Sequence, residues 1–255
     1  MPYQFARERL NYAAFASGQV LHSLPGRPAF PARLASELYQ RGAALLRGDG
    51  ASPPYVLYDP CCGGAQLLTT LAYLHGETIA ALIGSDIDPD AVQLAARNLA
   101  LVTLPGLDAR RAALADLAAR YGKPAHQEAL NHAAALHERQ VELTNQRTIT
   151  TAVFQADALN TADMRAGLAG AAVDLVIADV PYGQQTAWTT LDEASTSTEA
   201  PLWRLLEALR PNLTARAVVA IATDKVQRVR HDAYQRRDQW QIGKRRLTLL
   251  SVLNP

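Results

Sequence analysis

Four aspartates stand at or directly after apolar segments that are typical of buried strands. They are Asp59 in YVLYD, Asp86 in TIAALIGSD, Asp157 in TTAVFQAD and Asp179 in VDLVIAD. Ligands of open α/β sheets bind outside the carboxyl ends of the strands, where such carboxylates can accept hydrogen bonds. Any one of these residues could instead cap a turn or helix, which is a common role for Asp. Acids at several successive strand ends favour a ligand site.

The loop after the first strand, DPCCGGAQL, suits the close approach of a ligand to the backbone. Gly63 and Gly64 carry no Cβ, and the helix that follows offers unpaired backbone N–H groups. Cys62 and Gln66 stand where the dinucleotide fingerprint G-x-G-x-x-G needs glycine, which disfavours a pyrophosphate cradle. A ligand with an amino-acid end fits this loop better.

The second and third strand ends carry acids that suit a nucleoside. Asp86 is placed to accept hydrogen bonds from both ribose hydroxyls, by the geometry of nucleotide-binding folds. Asp157 could accept a hydrogen bond from an adenine amino group, and a capping role remains open for it. Asp88, by contrast, is predicted to cap the helix that begins at Pro89.

The elements that must position these acids alternate as strand and helix, which predicts an α/β fold with a parallel sheet between helices. The polar stretch after the fifth strand is expected to be partly helical, and WQIGKRRLTLLSVL is expected to form a closing antiparallel hairpin. The predicted strands are Tyr55–Asp59, Thr78–Asp86, Thr150–Asp157, Val173–Asp179 and Ala215–Asp224.

Two segments depart from this regular alternation. Residues 1–50 are predicted to form a helical N-terminal extension with a helix at Pro31–Leu46, and a break follows at Gly48–Pro54. Residues 51–255 are predicted to form the main domain. Within that domain, Leu107–Arg147 is too long for a simple connection and is predicted to be a helical insertion.

Composition limits the classes of function. The 255 residues carry a net charge of +1, so affinity for nucleic acid must come from local patches. No apolar stretch approaches the length of a membrane helix, and the N-terminus lacks the apolar core of a signal peptide. Cys61 and Cys62 are adjacent, which suits neither an ordinary disulfide nor a metal cluster. A cytoplasmic protein is expected.

The order of these segments resembles a known family. D-P-x-C-G-G, G-S-D-I-D-P, A-D-A and D-x-P-Y-G follow one another as in class I S-adenosylmethionine-dependent methyltransferases. More narrowly, the FPxRLA-type helix at Phe30–Ala35, the double-cysteine loop, the extra helices and Trp188 resemble the AviRa family of avilamycin-resistance 23S rRNA methyltransferases.

The resemblance implies a Rossmann-like seven-stranded class I methyltransferase sheet, with an N-terminal helical extension and a helical insertion. It also implies S-adenosyl-L-methionine as cofactor, with Asp59 and Gly63 near its methionine portion, Asp86 near the ribose and Asp157 near the adenine. The candidate cofactor-binding residues are Asp59, Pro60, Cys61, Cys62, Gly63, Gly64, Asp86, Ile87, Asp157 and Ala158.

The resemblance places catalysis at DVPYG. In amino-methyltransferases with a [D/N]-P-P-[Y/F] tip, the acid or amide and a backbone carbonyl accept hydrogen bonds from the target amine, and the aromatic ring stacks on the base. Val180 replaces the first proline of that tip, which puts the rigidity of the loop in doubt. Alternatively, Asp179 caps a turn and Tyr182 packs a loop. The candidate catalytic residues are Asp179, Val180, Pro181 and Tyr182.

The candidate RNA-binding residues lie near the C-terminus. Lys225–Arg246 contains eight Lys or Arg and two Asp, with Tyr234 and Trp240 interleaved, as in a surface that binds phosphates and bases. The same charges could form a solvated face. The candidates are Arg228, Arg230, Arg236, Arg237, Lys244, Arg245 and Arg246. A second basic set, expected to frame a cleft, comprises Arg7, Arg9, Arg27, Arg33 and Arg41.

These features together predict an S-adenosylmethionine-dependent methyltransferase of a guanine base in 23S rRNA, with exocyclic N2 as the first target and ring N1 as the second. By resemblance, the consequence is resistance to an orthosomycin of the avilamycin type, or housekeeping modification at a similar site. Three alternatives remain open: a DNA methyltransferase, a protein glutamine methyltransferase, and a non-catalytic rRNA-binding assembly factor.

The expected partner is 23S rRNA or the large ribosomal subunit, bound by a monomer without a membrane or a metal. Three histidines of the insertion, His126, His132 and His137, are of a type that can bind metals. Their spacing and the lack of a nearby cysteine do not suit a zinc site, so they are expected to be ordinary polar positions.

Overall fold

The chain forms one seven-stranded mixed sheet flanked by helices. The computed structural model describes residues 3–8, 10–16, 18–23, 29–181 and 200–253. The strands are β1 (Tyr55–Asp59), β2 (Ile79–Asp86), β3 (Thr150–Gln155), β4 (Val173–Asp179), β5 (Leu213–Thr223), β6 (Tyr234–Ile242) and β7 (Arg245–Val252). Their order is β3-β2-β1-β4-β5-β7-β6; β1 to β5 are parallel, and β7 is antiparallel to both β5 and β6.

Seven α-helices belong to the described part of the chain. They are α1 (Ala32–Gly48), α2 (Gln66–His75), α3 (Pro89–Ala100), α4 (Leu104–Tyr121), α5 (Pro124–Gln146), α6 (Thr161–Leu168) and α7 (Pro201–Leu209). Short 3-10 turns occur at Ala13–Phe15, Gly76–Thr78 and Arg210–Asn212. Of the helices described here, none is both long and apolar enough to cross a membrane.

The two faces of the sheet support separate apolar cores. In β4, Leu175 and Ile177 point toward α1, α2 and α3, whereas Val176 and Ala178 point toward α6 and α7. This alternation is the period of two that a strand imposes on its side chains. Gly42 lets α1 approach the sheet closely, because a Cβ at that position would lie 2.7 Å from Leu175 Cδ1. The helices therefore sandwich the sheet, as the α/β prediction requires.

The sequence predicts most of these elements to within two residues at their ends. The predicted α/β class and all five parallel strands are confirmed, and so is the antiparallel hairpin. The prediction of a partly helical segment after β5 is wrong. Asp224 begins a turn there, because its carboxylate accepts hydrogen bonds from the backbone N–H groups of Val226 and Gln227. The polar residues that follow belong to the edge strand β6, which tolerates exposed side chains.

The N-terminal region and the predicted insertion have different structures. Within residues 3–8, 10–16, 18–23 and 29–50, the only α-helix is α1, and it packs directly on the sheet core. The segment at the predicted insertion forms the α4–α5 helical hairpin, which covers Phe15, Val20 and Leu21. The division into two domains stays a prediction.

Glu37 attaches the N-terminal segment, which is the described chain before α1 (residues 3–8, 10–16, 18–23 and 29–31), to α1. Its fully buried carboxylate accepts hydrogen bonds from the backbone N–H groups of Gln4, Phe5 and Ala6, at 2.6, 2.8 and 2.8 Å. Arg41 Nε donates to the same carboxylate at 2.7 Å. Burial alone would raise the pKa of Glu37, but these hydrogen bonds lower it below its usual value.

Replacing Glu37 should therefore loosen the whole segment. We expect Glu37→Gln to lower the free energy of unfolding by about 2–4 kcal/mol at neutral pH, because backbone donors and Arg41 lose a buried anion. Since the pKa of Glu37 is lowered in the folded state, its contribution is present above the unfolded-state pKa and is lost as the pH falls through the folded-state pKa. Urea titrations at successively lower pH should show the difference between the two proteins shrinking.

The matched control is Glu128→Gln, an exposed position on α5. It should leave the urea midpoint nearly unchanged. Equal stability of wild type and Glu37→Gln at neutral pH would contradict the role given to Glu37.

Candidate functional site

Three carboxylates lie on one face of the sheet at its carboxyl edge. Asp59 ends β1, Asp86 ends β2 and Asp179 ends β4, and each stands an even number of positions after a strand residue that belongs to the core on the α1–α3 side. Asp59 is 2% exposed. Burial raises the pKa of Asp59 well above its usual value, and the negative charges of Asp179 and Asp86 raise it further. The neighbouring acids therefore disfavour ionisation of Asp59.

The glycine loop is tied to the end of β2. Gly63 N–H donates to one oxygen of Asp86 at 2.9 Å, and Asp88 N–H donates to the other at 3.0 Å. Cys61 N–H donates to Asp59 at 3.0 Å. Each Asp86 oxygen thus accepts one backbone hydrogen bond and keeps further lone-pair directions for a ligand.

The two glycines of the loop serve different purposes. Gly63 has a φ of +53°, and nothing lies within 4 Å of the position where a Cβ would be, so it offers the backbone an open approach. A Cβ on Gly64 would instead lie 2.6 Å from Leu94 Cδ2. Gly64 is therefore required for packing against α3, which is a different reason from the ligand approach predicted for it.

The cysteine pair is not a nucleophilic site. Both thiols are free, and Cys62 is buried with its sulfur against Gly84. Burial raises the pKa of both thiols well above the usual value, and neighbouring carboxylates including Asp59 add to this rise, so the thiols stay protonated. Their contribution to the loop is shape and backbone geometry.

Asp157 is buried at the end of β3 and shapes a turn. Its side chain accepts from Leu159 N–H at 2.8 Å. The cap of α6 is Asn160, which accepts from the N–H groups of Ala162 and Asp163, so Asp157 is not the helix cap itself. Asp88, by contrast, caps α3 through Asp90 N–H at 2.9 Å, as predicted.

The remaining cofactor candidates lie in the same turns. The Pro60 carbonyl accepts from Ser85 Oγ at 3.4 Å, and the Ile87 carbonyl accepts from Gln155 Nε2 at 3.0 Å. Ala158 is buried next to Asp157. All ten candidate residues therefore belong to the last positions of β1 and β2 or to the loops that follow β1, β2 and β3.

The residues that follow β4 are held by hydrogen bonds to β5 and to the segment after β5. Val180 is 1% exposed and its N–H donates to the Ala222 carbonyl at 3.2 Å. Gln227 Nε2 donates to the Pro181 carbonyl at 3.3 Å. Tyr182 and the residues up to 199, with Trp188, lie outside the described residues. Gln227 was not predicted, because nothing in the sequence connects it with a proline 46 positions earlier.

Arg245 lies beside Asp179. Its Nη2 is 3.6 Å from Asp179 Oδ2, and both side chains are about one-quarter exposed. On the other side, Arg245 Cζ lies 5.2 Å from the ring centre of Phe30. The acid at the end of β4 thus has a cation next to it, and that cation is supported by a residue of the N-terminal segment.

The predicted RNA-binding residues do not form one patch. Arg245 and Arg246 begin β7 at the carboxyl edge, where Arg246 Nη1 donates to the Gln227 carbonyl at 3.1 Å. Arg236 pairs with Leu250, five residues from Arg245 along β7, and so lies about 16 Å from the row of Arg245, at roughly 3.3 Å per residue. Three other candidates are exposed. Lys244 lies in the turn between β6 and β7, and Arg228 and Arg230 lie in the loop between β5 and β6.

Several of the basic and aromatic residues expected to face RNA instead make contacts within the protein. Arg237 pairs with Asp49 at 2.7 Å. Arg41 pairs with Glu37 and with Asp238, and its guanidinium lies 4.0 Å from the ring centre of Trp240. The expectation of an open stacking surface is therefore wrong for Trp240.

Two more members of these sets are also engaged internally. Tyr234 is buried and its hydroxyl donates to the Leu206 carbonyl at 2.8 Å, so its expected exposure is also wrong. Arg33 donates to the carbonyls of Ala6 and Arg7 at 2.9 and 2.8 Å. Arg9 and Arg27 lie outside the described residues. The described N-terminal arginines thus make hydrogen bonds within the protein, and the expectation that they frame a cleft is not supported by these contacts.

Asn98 connects the N-terminal segment with the glycine loop. It is fully buried in α3, accepts from His22 N–H at 2.8 Å, and donates to the carbonyls of Gly64 and His22 at 2.7 and 3.0 Å. Gln66 donates to the same His22 carbonyl at 3.0 Å. Burial and the charges of nearby arginines lower the pKa of His22 to about 4, so the ring stays neutral. No sequence signal predicts this connection.

The insertion histidines make separate contacts. His132 lies 3.1 Å from Gln19, His137 lies 3.2 Å from Asp108, and His126 packs against Tyr121. Within the described ranges, no three His, Cys, Asp or Glu side chains are grouped so that they could hold a metal ion.

Comparison with known proteins gives a consistent result over nearly the whole chain. The family described as rRNA methyltransferase AviRa matches residues 1–245. The 23S rRNA (guanine(2535)-N(1))-methyltransferase of Streptomyces viridochromogenes is 40% identical over 249 residues, or 97% of this chain and 95% of that protein. Two solved structures of the rRNA methyltransferase aviRa from the same organism have a TM-score of 0.85. They are 37% and 36% identical and cover 98% of this chain and 96% of their own.

The hydrogen bonds by which Asn98 bridges His22 and Gly64 can be tested by removing the Asn98 side chain. Asn98→Ala should lower the free energy of unfolding by about 2–4 kcal/mol, because two carbonyls and one N–H lose their buried partner. Native-state hydrogen exchange should show faster exchange of the His22 amide, beyond the change in global stability.

Asn131→Ala serves as the control, since Asn131 is exposed on α5 and its side chain accepts a hydrogen bond from Gln127, one helical turn away. It should change neither quantity. Unaltered exchange at His22 in Asn98→Ala would refute the bridge.

Proposed function

This chain belongs to the AviRa family of rRNA methyltransferases, and we propose that it transfers a methyl group from S-adenosyl-L-methionine to ring N1 of a guanine in 23S rRNA. One observation carries the proposal. Asp179 lies at the end of β4, on the same face and edge as the loops that would hold a methyl donor. The tip motif alone favours exocyclic N2, whereas the named activity of the Streptomyces relative favours N1.

The residues at this edge fit S-adenosylmethionine. Burial and two neighbouring carboxylates raise the pKa of Asp59, and a ligand with an ammonium group and a positively charged sulfur would place positive charge beside these acids. Asp86 keeps lone pairs for ribose hydroxyls, and Gly63 leaves space for the methionine end. In this proposal, Asp157 and Ala158 contact the adenine.

The methyl donor supplies an activated methyl group, so the protein mainly positions the reacting atoms. Guanine has two adjacent donors on its pairing edge, N1–H and the exocyclic N2 amine. The Asp179 carboxylate and the Val180 carbonyl are acceptors at the end of β4 and would hold this edge. Both acceptors are fixed by the sheet, because Val180 N–H bonds to β5 and Gln227 bonds to Pro181.

The substrate is 23S rRNA, either free or in the large subunit, and the reaction takes place in the cytoplasm. Lys244, Arg246 and Arg228 supply positive charge next to the tip. Resistance to an orthosomycin of the avilamycin type stays a prediction from the family resemblance, and so does action as a monomer.

The experiment that tests this function offers labelled S-adenosylmethionine with four substrates: large subunits, protein-free 23S rRNA, duplex DNA and a protein extract. We expect label in a ribosomal substrate and 1-methylguanine after nuclease digestion and mass spectrometry. Asp179→Asn should lower the single-turnover rate by about 10²–10³-fold, because it removes the acceptor for the N1 proton. Cofactor affinity should change far less.

Asp116→Asn on the exposed face of α4 is the control and should retain full activity. Label only in DNA or protein would show another substrate. Cofactor and rRNA binding without any methyl transfer would support the assembly-factor alternative.

A second prediction concerns proton linkage at Asp59. Because the pKa of Asp59 is raised in the free protein, binding of a cationic cofactor should favour its ionised form and release protons. Affinity should therefore increase as the pH rises toward the pKa of Asp59 and level off above it. Calorimetry in buffers of different ionisation enthalpy measures this release directly.

Asp59→Asn should bind more weakly and show little proton release, whereas Asp116→Asn should match wild type. Equal proton release from wild type and Asp59→Asn would contradict the assignment.

A further inference from the structure

The pair formed by Asp179 and Arg245 has a geometry that the predicted phosphate-binding role does not require. Arg245 is held between a carboxylate at 3.6 Å and the Phe30 ring at 5.2 Å, and about one-quarter of its side chain is exposed. An arginine that only binds phosphates is typically extended toward solvent. Arg245 is instead fixed at the candidate catalytic acid.

The sheet register explains why the two side chains meet. Asp179 pairs with Ala222, and Ala222 pairs with Leu247. Arg245 precedes Leu247 by two residues, so it points to the same face as Leu247 and Asp179. Its Cα lies about 7 Å beyond the row of Asp179, at roughly 3.3 Å per residue, and its side chain reaches back to the carboxylate. Its guanidinium, 3.6 Å from the Asp179 carboxylate, is therefore adjacent to any group that this carboxylate binds.

Guanine has a matching pattern at N1 and O6. The N1 lone pair becomes available only when the N1 proton leaves, and the resulting negative charge is shared between N1 and O6. An acceptor at N1 and a fixed cationic donor at O6 would both stabilise that charge. Adenine has a donor, its N6 amine, at the position of O6 and would face the donor groups of Arg245.

Resting on the function proposed above, we propose that Arg245 binds O6 of the target guanine and stabilises the negative charge that develops there as Asp179 accepts the N1 proton. The N1–H bond breaks and its proton passes to the Asp179 carboxylate. The electron pair left on N1 forms the bond to the methyl carbon, and the carbon–sulfur bond breaks with its pair staying on sulfur. Asp179 then loses the proton to solvent.

Other charged groups near this pair are fixed in different directions. Asp59 and Asp86 accept backbone hydrogen bonds from the glycine loop. Arg246 donates to the Gln227 carbonyl. Lys244 is exposed on the turn between β6 and β7. Among the described residues, Arg245 is the cation whose contact with Asp179 places it at the pairing edge of the base.

The test is the pH dependence of single-turnover methyl transfer at saturating rRNA and S-adenosylmethionine. Wild type should be nearly independent of pH from neutral to mildly alkaline conditions. Arg245→Met should be slower by about 10²–10³-fold at neutral pH, the typical loss for a charge-stabilising donor. Its rate should recover as the pH rises, because solvent removes the N1 proton. Arg245→Lys keeps the charge without the planar fork and should lose only about 10-fold.

Arg216→Met is the matched control, since Arg216 lies near the other end of β5 and donates to the Gly50 carbonyl. It should have the wild-type rate and pH profile. Lys244→Met should raise KM for rRNA and make the salt dependence of that KM less steep, without changing the pH profile.

Two results would overturn the role of Arg245: a wild-type rate in Arg245→Met, or a loss of the same factor at every pH. Should Arg245→Met fail to fold, as judged by thermal unfolding and cofactor binding, the pH profile of Arg245→Lys decides the question in the same way. Failure of the proposed function is distinct, because wild type itself would then label no rRNA or label an atom other than N1.

Discussion

The structure depends on holding several carboxylates of like charge close together at one edge of the sheet. Asp59, Asp86 and Asp179 are brought there by parallel strands, and the burial of Asp59 makes its repulsion by the other two costly. Backbone N–H groups offset part of this cost at Asp59 and Asp86, and Arg245 offsets part of it at Asp179. A positively charged methyl donor would reduce this repulsion further. The backbone N–H groups and the arginine that shape the candidate site thus also stabilise these acids in the folded protein.

Local patterns in the sequence were sufficient for most of the sheet and for the acids at its edge. Runs of apolar residues specify the strands, and the Asp88–Pro89 pair specifies a helix start, because both depend on neighbours in the sequence. The contacts that complete the site are long-range. Arg245 meets Asp179, Gln227 meets Pro181, and Asn98 meets His22 only after folding. Gly64 was assigned correctly to the loop but for a reason that only packing reveals.

The content of charged and aromatic residues predicted the candidate RNA-binding surface less well than position at a strand end predicted the acids of the site. The segment rich in Lys and Arg contains an edge strand whose residues alternate in direction and extend toward both edges of the sheet. Tyr234 and Trp240 therefore turn toward the protein, and Arg237 pairs with Asp49. A count of charges does not distinguish these directions. The alternation of the strand does, once its register against β7 is known.

The contact between Phe30 and Arg245 joins an early and a late part of the sequence. Phe30 precedes every strand, whereas Arg245 begins the last strand. The cation beside Asp179 is therefore in place only while the final hairpin is docked on β5. Local opening of this hairpin would remove the cation from Asp179 and leave the loops that follow β1, β2 and β3 on their own strands. The loops proposed to hold a methyl donor and the pair proposed to use it thus differ in how much of the chain must be folded.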